Sequence, residues 1–299
     1  MKQLPVGTYV VISPAKDEEA YIEQCLQSMV KQTIPPLKWI IVDDGSRDHT
    51  LSIIESYARQ YEWIVPVVTD KNLERLPGAG VMRAFYKGYE KVRRTQFDFI
   101  VKMDVDLDLP PDYFERLLSQ FAMDANLGIA SGIYLEPQDE GWSPVPMPEY
   151  HAAGASKVLR RECFDQIGGF VIQSGWDTVD EIKAQLAGWR TRHFTDIEFH
   201  HLRPEGSAIG VLRTSANYGG IYYACGGGAL FFLLKVAHRF VFGKPIFCGA
   251  LAMLYGYLRS QIKGRKRLVS KAEASAYRHM LNERIRGRVA RLFPVMRSN

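Results

Sequence analysis

Asp104 and Asp106, separated by one valine, stand at the end of the run Phe97–Met103. Paired carboxylates are hard oxygen donors, suited to Mg²⁺ or Mn²⁺ held together with a diphosphate. Without a cation they would repel a phosphate-bearing substrate. The carboxyl ends of strands in an open α/β sheet are where such ligands bind. Two earlier apolar runs end in the same way. Tyr9–Ser13 leads into Pro14-Ala-Lys-Asp-Glu-Glu, and Trp39–Val42 leads into Asp43-Asp-Gly-Ser. If the three strands are parallel neighbours, their polar loops meet at one sheet edge. A carboxylate there can accept from a base N–H or a ribose hydroxyl. Asp43, Asp44 and Ser46 also suit a turn or a helix N-cap.

The elements that must hold these loops alternate along the first half. Apolar spacing predicts helices over 20–32, 50–61, 81–92 and 111–122, with strands at 9–13, 39–42, 64–68, 97–103 and 128–134. Repeated βα units argue for a mostly parallel sheet with helices on both faces. Residues 135–150, with four prolines, read as a surface connection or lid. A further helix over 178–187 and a strand over 190–194 follow. At 299 residues, 46% hydrophobic and 24% charged, the chain is ordinary globular material with ample core. Cys25, Cys163, Cys225 and Cys248 are scattered with no metal-ligand spacing, which predicts a reducing compartment. The N-terminal residues run straight into a strand, which predicts no secretory leader.

Charge is unevenly placed. Residues 259–299 carry twelve Lys/Arg against two Glu, while residues 1–258 carry 26 basic and 31 acidic groups. Ahead of that tail lie two uncharged fourteen-residue runs, Ile221–Leu234 and Pro245–Leu258. Both fall short of the roughly 20 residues a spanning helix needs. A short hairpin in one leaflet, or interfacial helices, fits their length. Two core helices of a soluble subdomain are the plainer alternative. The basic tail beside apolar runs predicts an anionic membrane surface as partner rather than nucleic acid.

Pro14-Ala-Lys-Asp-Glu-Glu, Val42-Asp-Asp-Gly-Ser and Met103-Asp-Val-Asp, in that order and spacing, resemble the family 2 inverting glycosyltransferases with the GT-A fold. The likeness covers roughly residues 8–205. It implies a nucleotide-sugar donor across the three loops, with Ala15 and Glu18 lining the nucleoside pocket and Asp44 on the base. Asp104 would lie near ribose or metal, and Asp106 would ligate Mn²⁺ or Mg²⁺. The stretch Leu73–Ala84 departs from the family pattern, and Arg83 within it is a candidate for the diphosphate or an ordinary helix-surface arginine. The family's general base aligns with Asp177, ahead of the helix that stops at Gly188, with Asp180 and Glu181 as alternatives one turn on. A capped helix start rich in acids is the plain reading of all three. Trp176 stands where the family has glutamate. In Phe199-His-His-Leu-Arg-Pro, His201 or His200 would complete the metal shell, and Arg203 can neutralise a leaving diphosphate.

The resemblance thus implies a GT-A catalytic domain over 1–215, its nucleotide-sugar half about 1–135 and its acceptor half about 136–215. A hydrophobic helical pair and basic tail, 216–299, would meet the membrane through residues 219–299. The function implied is metal-dependent inverting transfer of a sugar onto a lipid-linked or polysaccharide acceptor. The expected location is the cytoplasmic face of the inner membrane, peripheral or monotopic. The alternatives are a sugar-nucleotide nucleotidyltransferase and a catalytically degraded membrane-tethered binding module. Donor sugar, acceptor and oligomeric state stay open.

Overall fold

The computed structural model describes residues 7–69, 78–204, 210–242 and 247–292. Its first strand, β1 (Tyr9–Ala15), sends Tyr9, Val11 and Ala15 into one buried cluster and Val10 and Ile12 into another. That alternation marks a strand covered on both faces. β2 (Lys38–Asp43), β3 (Ile64–Val68) and β4 (Phe99–Met103) behave likewise and run parallel in the order β3-β2-β1-β4. One face is covered by α1 (Ile22–Val30), α2 (Thr50–Ala58) and α4 (Tyr113–Met123). The other is covered by α3 (Ala79–Val92), α5 (Arg161–Gln166) and α6 (Trp176–Leu186).

Beyond β4 the sheet continues through β8 (Ser156–Arg160), β6 (Leu127–Gln138), β9 (Arg190–His201) and β5 (Leu107–Asp108). β8 is antiparallel to both β4 and β6, β9 is parallel to β6, and the short β5 is antiparallel to β9. Residues 135–150, expected as a connection, are partly strand. β6 runs to Gln138 and turns back as β7 (Gly141–Pro144). Gly141, at φ +100°, supplies the turn. The prolines are tolerated because β7 lies at an edge, where missing donors cost little.

The chain divides into a unit of residues 1–204 and a unit of residues 205–299. The second holds α7 (Val211–Ala224), α8 (Ala229–Phe242), α9 (Cys248–Ile262) and α10 (Lys271–Leu292). The uncharged run Ile221–Leu234 is therefore not one helix. It crosses the end of α7, a turn at Gly226 with φ +80°, and the start of α8. Among the described residues no helix is long and apolar enough to cross a membrane.

Candidate functional site

The three acidic loops do meet, because β2, β1 and β4 are adjacent parallel strands whose carboxyl ends point the same way. Ala15, buried at the end of β1, sits in register with Asp43, and its carbonyl accepts from the Asp44 amide at 2.8 Å. The first two loops are laced together. Asp17 N–H donates to Ser46 Oγ at 3.0 Å and Arg47 N–H donates back to Asp17 Oδ1 at 2.9 Å. Glu18 N–H reaches Thr50 Oγ1 at 2.8 Å, Glu19 N–H reaches Asp48, and His49 N–H returns to Glu19. Asp17 holds φ +55°, a left-handed conformation that aspartate tolerates better than most residues.

Within this frame the second-loop aspartates separate. Asp43 is buried and accepts from the Ser46 amide as part of the turn. Asp44 faces outward, accepts from Thr69 Oγ1 at 2.8 Å and lines a cavity of about 190 Å³. Arg83, exposed on α3, lines the same cavity. Residues 73–77 of the departing stretch lie outside the described residues.

The third loop carries the densest charge. Asp104 is half-buried and takes a 2.6 Å hydrogen bond from Lys102 Nζ. Asp106 is buried, with Arg203 Nη2 at 2.8 Å from its Oδ2 and His201 Nε2 at 3.5 Å from its Oδ1. The same Arg203 nitrogen stands 2.7 Å from Glu18 Oε1, so one guanidinium joins the first and third loops. Glu18 Oε2 is buried with no hydrogen-bond partner. Burial pushes the Glu18 carboxyl up to about 7 even against Arg203, helped by the negative charges of Asp106 and Asp104. Burial also lifts Asp106, but His201 and Arg203 outweigh it and hold that carboxyl below its ordinary value. Burial disfavours a charged His201, yet Asp106 and Glu136, the latter 3.6 Å away, raise its imidazole to about 10. His200 points elsewhere, as neighbours on a strand must. It stacks on Trp142 with ring centroids 4.1 Å apart and borders a separate cavity of about 810 Å³.

The three downstream acids also part company. Asp180 and Glu181 are buried, and Lys157 Nζ lies 3.1 Å from a carboxylate oxygen of each. His151 Nδ1 sits 3.0 Å from the second oxygen of Glu181. Burial raises Asp180 to about 7 despite Lys157, whereas His151 and Lys157 hold Glu181 low against its burial. Asp177, in the first turn of α6, is only half-buried and lies beside Gly154. Its backbone carbonyl accepts from Lys157 Nζ at 2.7 Å. Among the described residues its side chain enters no ion pair. Trp176 lies between two ammonium groups, Lys102 at 5.3 Å and Lys157 at 5.4 Å from its ring centre. Lys102 also donates to the Gly154 carbonyl at 2.9 Å.

Lys102, Lys157, His151 and Glu136 were not candidates from sequence. Lys102 did leave a signal: it is a lysine inside an otherwise apolar strand, and a buried lysine demands a partner. Among the described residues no set of three or more His, Cys, Asp and Glu is arranged to hold a metal ion. The donors present still fit one supplied with a diphosphate. Two ligands on an octahedral ion at about 2.1 Å stand about 3 Å apart. Asp106 and His201, at 3.5 Å, lie close to that spacing. The unpartnered Glu18 oxygen faces the same cluster. Asp106 and His201 would hold the ion, which would supply positive charge to a departing diphosphate.

Parallel strands ending in clustered carboxylates, extended by a mixed half of the sheet, define the GT-A type of α/β fold. The family model for glycosyl transferase family 2 matches residues 10–175, and the chain belongs to that family. An undecaprenyl-phosphate 4-deoxy-4-formamido-L-arabinose transferase of Pseudomonas aeruginosa is 27% identical over 150 residues, 49% of this chain and 41% of that protein. The matched stretch thus spans less than half of that relative. The mannosyltransferase PcManGT of Pyrobaculum calidifontis, solved with GDP-Man and Mn²⁺, superposes with TM-score 0.54 at 16% identity, over 97% of this chain and 88% of its own. TarS residues 1–349 of S. aureus, solved with UDP-GlcNAc, gives TM-score 0.54 at 18% identity, over 90% and 78%. These two likenesses concern the fold.

Proposed function

We propose that the chain transfers a sugar from a nucleotide-sugar donor to a lipid-linked or polysaccharide acceptor, with inversion at the anomeric carbon. The observation that carries this reading is the gathering of Asp44, Asp104 and Asp106 on adjacent strand ends, with Asp177 the accessible carboxylate of α6. Ala15 and Glu18 line the nucleoside side, Asp44 accepts from the base, and Asp104 faces the ribose. Arg83 stands beside the base-contacting Asp44. The Asp177 carboxylate takes the proton of the acceptor hydroxyl as that oxygen bonds to the anomeric carbon. The bond from that carbon to the diphosphate oxygen breaks, and Arg203 stabilises the charge left behind. Asp106 and His201 would hold a divalent cation, Mn²⁺ or Mg²⁺, which would supply positive charge to the diphosphate.

The undecaprenyl-phosphate relative supports a polyprenyl-linked acceptor. Transfer then takes place at the cytoplasmic face of the membrane, with the catalytic unit peripheral to it.

The test is incubation of the full chain with a panel of nucleotide sugars, Mn²⁺ and polyprenyl-diphosphate-linked sugar acceptors carrying a free hydroxyl, followed by NMR of the product. The expected product is a glycolipid of inverted anomeric configuration with release of nucleoside diphosphate. Retained configuration would overturn the mechanism, and release of pyrophosphate in a parallel incubation with a nucleoside triphosphate and a sugar 1-phosphate would instead identify a nucleotidyltransferase.

A further inference from the structure

The second unit is packed in a way that water does not favour. On α9 the residues turned inward are small or slender: Gly249, Ala250, Met253 and Gly256 are buried. They let α9 meet α7 backbone to backbone. A Cβ on Gly256 would fall 1.8 Å from the Ala216 carbonyl oxygen, and one on Gly219 would fall 1.9 Å from that of Met253. Four large apolar residues of α9 point the other way. Leu251, Tyr255, Leu258 and Ile262, spaced to share one face, are exposed, Ile262 by 84%. A helix of a soluble protein buries its bulky stripe and shows its polar one. Here a bulky stripe stays exposed, and small residues at a tight helix crossing with large ones outside is the arrangement lipid favours.

α8 also exposes bulky apolar residues. Its Phe232 ring stacks inward on Tyr257 with centroids 4.2 Å apart, while Leu230, Leu233 and Leu234 are exposed. Phe240 and Phe247 close the two helices against each other at 4.5 Å. The 14 residues of α8 and 15 of α9 give lengths of about 21 and 23 Å at 1.5 Å per residue. Neither spans a hydrocarbon core of about 30 Å. Both suit helices lying in the interface plane.

Charge selects the kind of lipid. From Gly206 to Ala272 the sequence holds no Asp or Glu, yet it holds ten Lys and Arg. Arg259, Lys263 and Lys266 are exposed beside the apolar stripe. A surface with cations and no carboxylates of its own calls for anions from outside.

We infer that α8 and α9 form a monotopic docking surface for an anionic bilayer leaflet, with Leu251, Tyr255, Leu258 and Ile262 at the acyl boundary and the flanking cations among the headgroups. Its purpose rests on the proposed transfer to a lipid-linked acceptor; its physics does not. A second copy of the chain covering the same stripe is the competing occupant.

Cys248 gives a ready probe, since it is exposed at the start of α9 whereas Cys25, Cys163 and Cys225 are buried. The full chain carrying an environment-sensitive dye on Cys248 is mixed with phosphatidylcholine vesicles, with or without phosphatidylglycerol. The expected result is a blue shift and co-sedimentation with the anionic vesicles, weakened by salt. Leu251→Asp with Leu258→Asp should cut vesicle partitioning at least tenfold and leave the circular dichroism melt unchanged. Met123→Glu, an exposed apolar site in the first unit, should have no effect. Wild-type protein that stays in the supernatant would overturn the docking, as would light scattering showing a dimer that shields Cys248. Transfer to a water-soluble acceptor is followed in parallel. Vesicle binding without transfer would sink the enzymatic reading alone, and transfer without vesicle binding would sink the docking alone.

Discussion

The Lys157 ammonium donates to the main-chain carbonyl of Asp177 at 2.7 Å, so the first turn of α6 is tied to β8. The same nitrogen is the shared cation for Asp180 and Glu181. One lysine thus fixes the backbone that carries the accessible carboxylate and supplies positive charge to the two buried ones, so the three acids of α6 stand in different surroundings.

Removing that cation should be costly. Lys157→Met leaves two carboxylates buried without their ammonium, and loss of one partner of a buried pair costs about 3–5 kcal/mol. Urea unfolding should show a midpoint lowered accordingly. A midpoint within error of wild type would mean that Lys157 carries no such load.

Asp177→Asn should reduce glycosyl transfer by about 10²–10⁴, the range supplied by a positioned base. Donor affinity, measured by calorimetry with the nucleoside diphosphate, should stay within about threefold, less than ~1 kcal/mol. Asp180→Asn should behave oppositely, chiefly lowering stability, because that carboxylate is sealed against Lys157. Wild-type transfer rates in Asp177→Asn would refute its role as base.

Arg203→Ala should lower kcat by about 10²–10³, the usual loss when one donor to a developing anion is removed. Arg203→Lys should rescue little, since a single ammonium cannot reproduce a planar guanidinium held between two carboxylates. Full activity in the lysine variant would show that only net charge matters there.

Stability should fall as pH rises past neutrality. Burial lowers the His151 imidazole, but the charge of Glu181 outweighs it and the net shift is upward from 6.5. A raised histidine contributes stability that is fully present below 6.5 and lost as pH climbs through the folded-state value. Glu181 is shifted down from 4.5, so its share is present above 4.5 and fades in acid. The pair should therefore stabilise most between those two values. Comparing Tm at pH 5.5 and 8.5, wild type should lose more than His151→Asn; an equal loss in both would remove His151 from the account.

Asp106→Ala should abolish metal-stimulated turnover, and chelation of wild type should do the same. Nucleoside diphosphate binding measured with and without Mn²⁺ gives the second readout. In the variant the metal should no longer tighten it.

Much of the acidic-loop cluster was legible because it is local. Each acidic loop directly follows an apolar strand, and the order of strands in an open sheet brings such loops to one edge. The charged cluster around α6 was not, because its partners are distant in sequence. His151 and Lys157 lie 30 and 24 residues before Glu181, and nothing in the spacing announces that they converge on it. The division of Asp177 from Asp180 and Glu181 depends on which helix face the sheet covers, and neighbouring positions look alike until it is known. The hairpin of β6 and β7 was hidden by its prolines, which are poor strand formers except at an edge. The exposed bulky stripe of α9 was invisible for a simpler reason: an apolar run tells nothing of which side turns inward.

The lacing of the first two loops has a practical corollary for altering donor choice. Asp17, Glu18 and Glu19 depend on Ser46, Asp48 and Thr50 for their backbone geometry, and Arg47 and His49 depend on Asp17 and Glu19 in return. A chimera that imports one loop from a relative with another nucleotide preference would leave amides facing oxygens that are no longer there. The two segments form a single transplantable cassette, and base selectivity should change hands only when residues 16–19 and 44–50 travel together.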